Sequence, residues 1–157
     1  MMSHPNYGKD FEKRIAEAML RVADVDVQRL YDTTNGYIGV HQPADYIVYK
    51  YPHQYYIECK CTWENTLHKD YIPQLDDLYK KSQTDGVIAG VIVWFIKHDY
   101  TAFISAKDLV RHFQTHKSIN IKELNYKREL THIEIFGEKR RVFFDYDMGK
   151  FFSCFDS

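Results

Sequence analysis

Pro43-Ala44-Asp45-Tyr46-Ile47-Val48-Tyr49 and Tyr55-Tyr56-Ile57-Glu58-Cys59-Lys60-Cys61 read as neighbouring strands that carry charge where a core strand should not. Alternate side chains of a strand share a face, so Glu58 and Lys60 point one way and Ile57, Cys59 and Cys61 the other. Between them, Lys50-Tyr51-Pro52-His53-Gln54 is turn material, and Asp45 begins the first strand. A hairpin therefore returns Asp45 towards Glu58. The expected product is two carboxylates and a lysine at one strand end.

Working outward, Phe11, Ile15, Ala18, Met19 and Val22 recur at helical spacing and predict a helix from about Tyr7 to Ala23. Glu12 borders that stripe, as a solvated side chain or one paired with a lysine or arginine. A short strand around Val25-Asp26-Val27 follows and supplies Arg29, and Asp32-Thr33-Thr34-Asn35-Gly36, with Gly39 close behind, is turn chemistry. Beyond the hairpin, Trp63 to Asp70 is too polar for a core element and is expected as a loop over the site. Tyr71 to Ser82 is expected as a helix, with Pro73 in its first turn, Asp70 or a neighbour capping it, and Gln74 projecting from its start.

Gly86 to Ile96 is the most apolar run and is expected as the central strand, covered on both faces. Its length is about half of a membrane span. Thr101 to Ser105 is a further strand, and Ser105 with Asp108 forms a capping pattern for a helix from Ala106 to Gln114. The polar stretch Lys117 to Arg128 is expected to be irregular. His132 to Phe136 and Val142 to Tyr146 then form a hairpin across residues 137–141, and the tail folds back on Phe151, Phe152 and Phe155 as interface or core filler. The order is that of an α/β fold with a mixed central sheet flanked by helices. It is not doubly wound, because the hairpin interrupts the strand-helix alternation.

The 157 residues fit a single domain spanning 1–157, long enough for a core without staples. A formal charge of -1 gives no global attraction to nucleic acid or membrane, so a nucleic-acid site has to be a local basic patch. Three cysteines with no secretory signal point to a reducing cytoplasmic setting. Cys59 and Cys61 are one residue apart, which suits neither a redox pair nor a zinc knuckle. The eight histidines show no His-Glu-x-x-His motif and no close metal pair, and no glycine-rich phosphate loop is present.

Paired carboxylates at a strand end suit a hard cation, since Mg²⁺ and Mn²⁺ favour oxygen ligands. Asp45 and Glu58 supply two ligands, and the backbone carbonyl of Cys59 is at hand as a third. Such an ion polarises a phosphodiester and activates a water. Lys60 would stand beside that water or the phosphate as an electrostatic and positioning group. The competing reading is an exposed same-face Glu-x-Lys pair of little energetic consequence.

With Pro43-Ala44-Asp45 followed by Glu58-Cys59-Lys60, the sequence resembles the PD-(D/E)xK nuclease superfamily. Within it, the wider pattern resembles the Holliday junction resolvases, particularly the RecU-type enzymes and their phage relatives. Gly8-Lys9-Asp10-Phe11-Glu12 looks like the opening of their first helix, where an acidic side chain approaches the metal. Gln74, in Pro73-Gln74-Leu75, matches the glutamine that supports their site from the next helix. The resemblance covers roughly Gly8 to Phe113. It departs at Ala44, which precedes the aspartate where the signature has proline, and in the short 31–43 segment, which leaves little room for the long insertion of RecU-type enzymes. It implies a restriction-endonuclease-like core and Mg²⁺- or Mn²⁺-dependent hydrolysis of DNA, with Asp45, Glu58, Lys60, Glu12 and Gln74 as catalytic residues and Glu12 as a further candidate ligand. It also implies branched DNA as substrate, a homodimer, and no membrane. Candidate DNA contacts are Arg29, Lys9, Lys13, Arg14, Lys80, Lys81, Lys139, Arg140 and Arg141. A restriction-like or repair nuclease, and a catalytically silent module that binds DNA or protein, remain open alternatives.

Overall fold

The computed structural model describes residues 6–31, 42–139 and 144–156. The turn expected over Asp32 to Gly36, Gly39, the candidate DNA contacts Arg140 and Arg141, and Val142 and Phe143 lie outside the described residues.

Helix α1 (Tyr7–Leu20) starts where the Asn6 side chain accepts the Lys9 N–H at 3.1 Å, and buries Phe11, Ile15, Ala18 and Met19. It stops three residues short of Ala23. Asp24 takes a φ of 56°, and the chain turns into β1 (Val25–Arg29). β2 (Tyr46–Lys50) and β3 (His53–Thr62) then pair antiparallel with Tyr46 opposite Ile57. Only Tyr51 and Pro52 join them, a tighter turn than the five residues expected. Asp45 stands just outside the ladder, its N–H donating to the Ile57 carbonyl at 3.1 Å. The carboxylate strand end is thus built by the hairpin.

The stretch expected as a loop holds a strand instead, β4 (Thr66–His68), followed by a 3₁₀ turn over Lys69–Tyr71. Helix α2 (Leu75–Ser82) begins later than expected, with Gln74 at its N-cap position. Pro73 therefore precedes the helix, and Asp70 caps nothing in it; its N–H is held by the His68 ring within the 3₁₀ turn. β5 (Val87–Phe95) and β6 (Tyr100–Ser105) follow as expected, and α3 (Ala106–His112) opens with the Ser105 hydroxyl accepting the Asp108 N–H at 3.1 Å.

Residues 117–128, expected to be irregular, contain β7 (Ser118–Asn120) and α4 (Ile121–Asn125). Leu67 and Ile119 explain both corrections. They are opposed in the β4–β7 pair, and each buries its side chain while its polar neighbours stay outside. The C-terminal hairpin also differs. Ile133–Glu134 forms β8 on the edge of the main sheet, and the hairpin is made by β9 (Gly137–Lys139) with β10 (Phe144–Tyr146). α5 (Met148–Ser153) buries Phe151 and Phe152, so the tail is core filler.

Among the described residues, the main sheet has six strands in the order β1-β2-β3-β5-β6-β8. Its one parallel pair is β3 with β5, which the α2 crossover permits; the other pairs are antiparallel. Phe11, Ile15, Tyr55, Ile57, Cys59 and Phe151 pack on one face, and Tyr56, Leu78, Val91 and Leu109 on the other. This is an α/β core of restriction-endonuclease type. Among the described residues, no helix is long and apolar enough to cross a membrane.

Gly90 marks the tightest point of the sheet, because a Cβ there would meet the Ile104 carbonyl oxygen at 2.5 Å and the Phe103 ring at 2.6 Å. Gly90→Ala is expected to cost about 1–3 kcal/mol of stability, read as a lower urea midpoint at unchanged slope.

Candidate active site

Tyr56 packs with the α2 and α3 core, so the pleat sends Glu58 and Lys60 to that same face of β3. Glu58 is 3% exposed, whereas Lys60 is half-buried. From the neighbouring strand, Asp45 reaches across and accepts the Cys59 N–H on Oδ2 at 2.8 Å. Removal from water pushes the Glu58 carboxyl up to about 9; a hydrogen bond to Asp45 and the charge of Asp45 push the same way, Lys60 pulls it down, and Glu12 adds a smaller push upward. Burial, the contact with Asp45 and the Asp45 charge all favour the protonated Glu58 carboxyl over its carboxylate. The exposed Glu-x-Lys reading fails on burial alone.

Glu12 comes to this group from α1. Burial raises its carboxyl first, then the charge of Asp45, while Arg29 and Lys60 lower it. Arg29 on β1 donates Nη1 to Glu12 Oε2 at 2.6 Å and to the Tyr46 hydroxyl at 3.0 Å. Tyr46 in turn donates its hydroxyl to the Glu12 backbone carbonyl at 3.0 Å. Burial opposes the charge on Arg29, and the Tyr46 and Glu12 contacts outweigh it. Burial also raises the Tyr46 hydroxyl to about 12, so it stays a donor. The arginine expected to meet a phosphate is thus engaged in orienting Glu12, and of the two expectations for Glu12 the one paired with a lysine or arginine is found.

Gln74 stands at the start of α2, and its Oε1 is buried with no hydrogen-bond partner among the described residues. Lys9 and Lys13 are exposed on α1 and line, with Glu12, Arg29 and Tyr31, a cavity of ≈ 640 Å³. Arg14 pairs with Glu17 at 3.1 Å. Lys80, Lys81 and Lys139 are exposed, Lys81 lying 5.2 Å from the Tyr56 ring centroid. Lys9, Lys13 and Arg29 share that cavity with Glu12.

Two carboxyl groups in contact form an oxygen donor set, which fits a hard divalent cation. The unpartnered Gln74 oxygen is a further acceptor on the same side of the sheet. Nothing in the carboxylate group favours a soft metal.

A second cluster escaped the sequence reading, which expected no close histidine pair. His112, His116 and Glu123 place one ligand atom each within 4.8 Å of one another, an arrangement able to chelate a divalent metal. The signal was present in the spacing, because histidines four apart fall on one face across a helical turn. His112 ends α3, His116 lies four residues beyond it and Glu123 is in α4, whereas Asp45 and Glu58 belong to the β2–β3 hairpin.

No protein-family model matches the chain, and no curated protein sequence matches it. Among solved structures, the fold matches Hjc of Archaeoglobus fulgidus, a Holliday junction resolvase from an archaeal hyperthermophile. The match has a TM-score of 0.51 at 20% identity and covers 80% of this chain and 91% of that one. At that distance the match shows a shared fold.

Glu58 binds its proton more tightly in the folded chain than in the unfolded one. Its contribution to stability is therefore fully present below its ordinary 4.5 and is lost as pH rises through about 9. In EDTA, the Tm of the wild type should fall between about pH 6 and 8.5 relative to that of Glu58→Gln, measured by thermal unfolding. Parallel curves for the two proteins would contradict the buried, protonated Glu58.

Proposed function

We propose that the chain is a Mg²⁺- or Mn²⁺-dependent endodeoxyribonuclease, a single nuclease-like domain that acts as a homodimer on branched DNA. The observation that carries this reading is the convergence of Asp45, Glu58 and the Lys60 charge on a sheet of the resolvase type. Asp45, Glu58 and the Cys59 carbonyl hold the ion, with Glu12 as a further oxygen ligand. When bound, the ion supplies Lewis acidity at a phosphodiester and a water acidic enough to attack near neutral pH.

The remaining work falls to side chains. The Cys59 N–H fixes Asp45, and Arg29 with Tyr46 fixes Glu12. Lys60 orients the attacking water or balances the charge that develops on the phosphate. The Gln74 oxygen supports Lys60 and ordered water from the start of α2. Lys9 and Lys13 hold the DNA backbone beside α1, where phosphate contacts position a duplex without reading its sequence. Lys80, Lys81 and Lys139 are weaker candidates for the same task. Branched DNA is preferred as substrate because the structural neighbour acts on junctions, and a homodimer would set two sites against the arms.

Oxygen chemistry assigns the hydrolytic ion to Asp45 and Glu58 and not to the histidine cluster, since Mg²⁺ avoids imidazole. Cutting should require Mg²⁺ or Mn²⁺ and fall by about 100-fold or more in Asp45→Ala and Lys60→Ala, assayed on linear, nicked, flapped and four-way DNA. Equal residual cutting by wild type and variants would sink the assignment. Paired symmetric nicks in the four-way substrate would mark a resolvase, and preference for linear duplex a restriction-like enzyme.

A further inference from the structure

His112 closes α3 and is buried, and His116 follows one turn later. Their rings stack with planes 6° apart and centroids 4.2 Å apart, so their edges can face one partner. That partner is Glu123. Its Oε1 accepts the Asn120 N–H at 2.8 Å in the capping box that opens α4, which leaves Oε2 directed at the imidazoles. Oε2 lies 3.6 Å from His112 Nε2 and 3.8 Å from His116 Nε2.

Those separations exceed a good hydrogen bond. Ligands about 2.0–2.1 Å from a tetrahedral ion stand roughly 3.3–3.5 Å apart, close to the spacing found. His116 is also set up as a ligand by its other nitrogen. Nδ1 lies 3.2 Å from the His112 carbonyl and 2.9 Å from the Thr115 hydroxyl, so Nδ1–H can be held there while the Nε2 lone pair faces Glu123.

From this geometry we propose that His112, His116 and Glu123 bind a transition-metal ion of the Zn²⁺ class. Two imidazoles and one carboxylate select Zn²⁺, Co²⁺ or Ni²⁺ over Mg²⁺. Binding has one local cost: His112 Nε2 lies 2.8 Å from the Ser118 carbonyl, and to ligate an ion there the imidazole gives up that hydrogen bond and carries its proton on Nδ1 instead. Both histidines line, with Asp108 and Arg111, a cavity of ≈ 200 Å³, which would admit water as a fourth ligand. The ion would tie the end of α3 to the start of α4 across β7. It is a site distinct in residues and in metal preference from the carboxylate pair, and it stands whether or not the chain cuts DNA.

The full chain, stripped of metal, would be titrated with Zn²⁺ and Co²⁺ in an Asp45→Asn background, which removes the competing carboxylate site. His116→Ala changes an exposed ligand, and Glu123→Gln keeps the capping box, so both should fold. The expected result is one Zn²⁺ per chain, a tetrahedral Co²⁺ absorption band, and a Tm rise of about 5 °C at a hundredfold excess over Kd. Each substitution should weaken Zn²⁺ binding at least tenfold. Zn²⁺ affinity unchanged in both variants, or no Zn²⁺ bound by the Asp45→Asn protein, would overturn the site.

Discussion

Glu58 is a carboxyl in a place built for apolar side chains, the strand on which parallel and antiparallel pairing meet. Its neighbours on the same face, Tyr56 on β3 and Val91 and Val93 on β5, belong to the core under α2 and α3. A carboxylate there loses its hydration, and the structure offers it a proton, Asp45 and, beside it, Lys60. Replacing Glu58 by an apolar residue would stabilise such a core. Retaining the acid makes sense when an ion takes the proton's place, since buried perturbed carboxyls of this kind gather at functional sites.

The rest of the sheet arranges partners around that acid. The two-residue β2–β3 turn sets the register, and the register puts Asp45 beside Glu58. The crossover through α2 makes β5 a parallel neighbour of β3 and leaves Gln74 at the helix start. On the opposite face α1 packs through Phe11 and Ile15, which delivers Glu12, at its edge, to the same group. Arg29 and Tyr46 then lock it. The side chains of Glu12, Asp45 and Glu58 come from three separate parts of the chain, so the geometry depends on the whole α/β core.

Strand alternation made much of this legible. The two charged segments were readable as a hairpin, Asp45 and Glu58 could be placed side by side, and the Ser105 cap and the α1 stripe fixed two helices. Short elements were not legible, because β4 and β7 each bury a single residue among polar ones, and only their mutual pairing makes Leu67 and Ile119 a core. Asn120 and Glu123 did announce a cap and were passed over. Arg29 could not be matched to Glu12 from spacing, since the pair joins a helix to a strand through tertiary packing. His112 and His116 carried a helical spacing, but the third member, Glu123, becomes their neighbour only when α4 folds back.

The proton that burial favours on Glu58 offers the most direct test. Calorimetric titration of the wild type with Mn²⁺ at about pH 7, in buffers of different ionisation enthalpy, counts protons released per ion bound. The account predicts about one proton released per ion and none from Glu58→Gln. Binding without proton release, or the same release from Glu58→Gln, would contradict it.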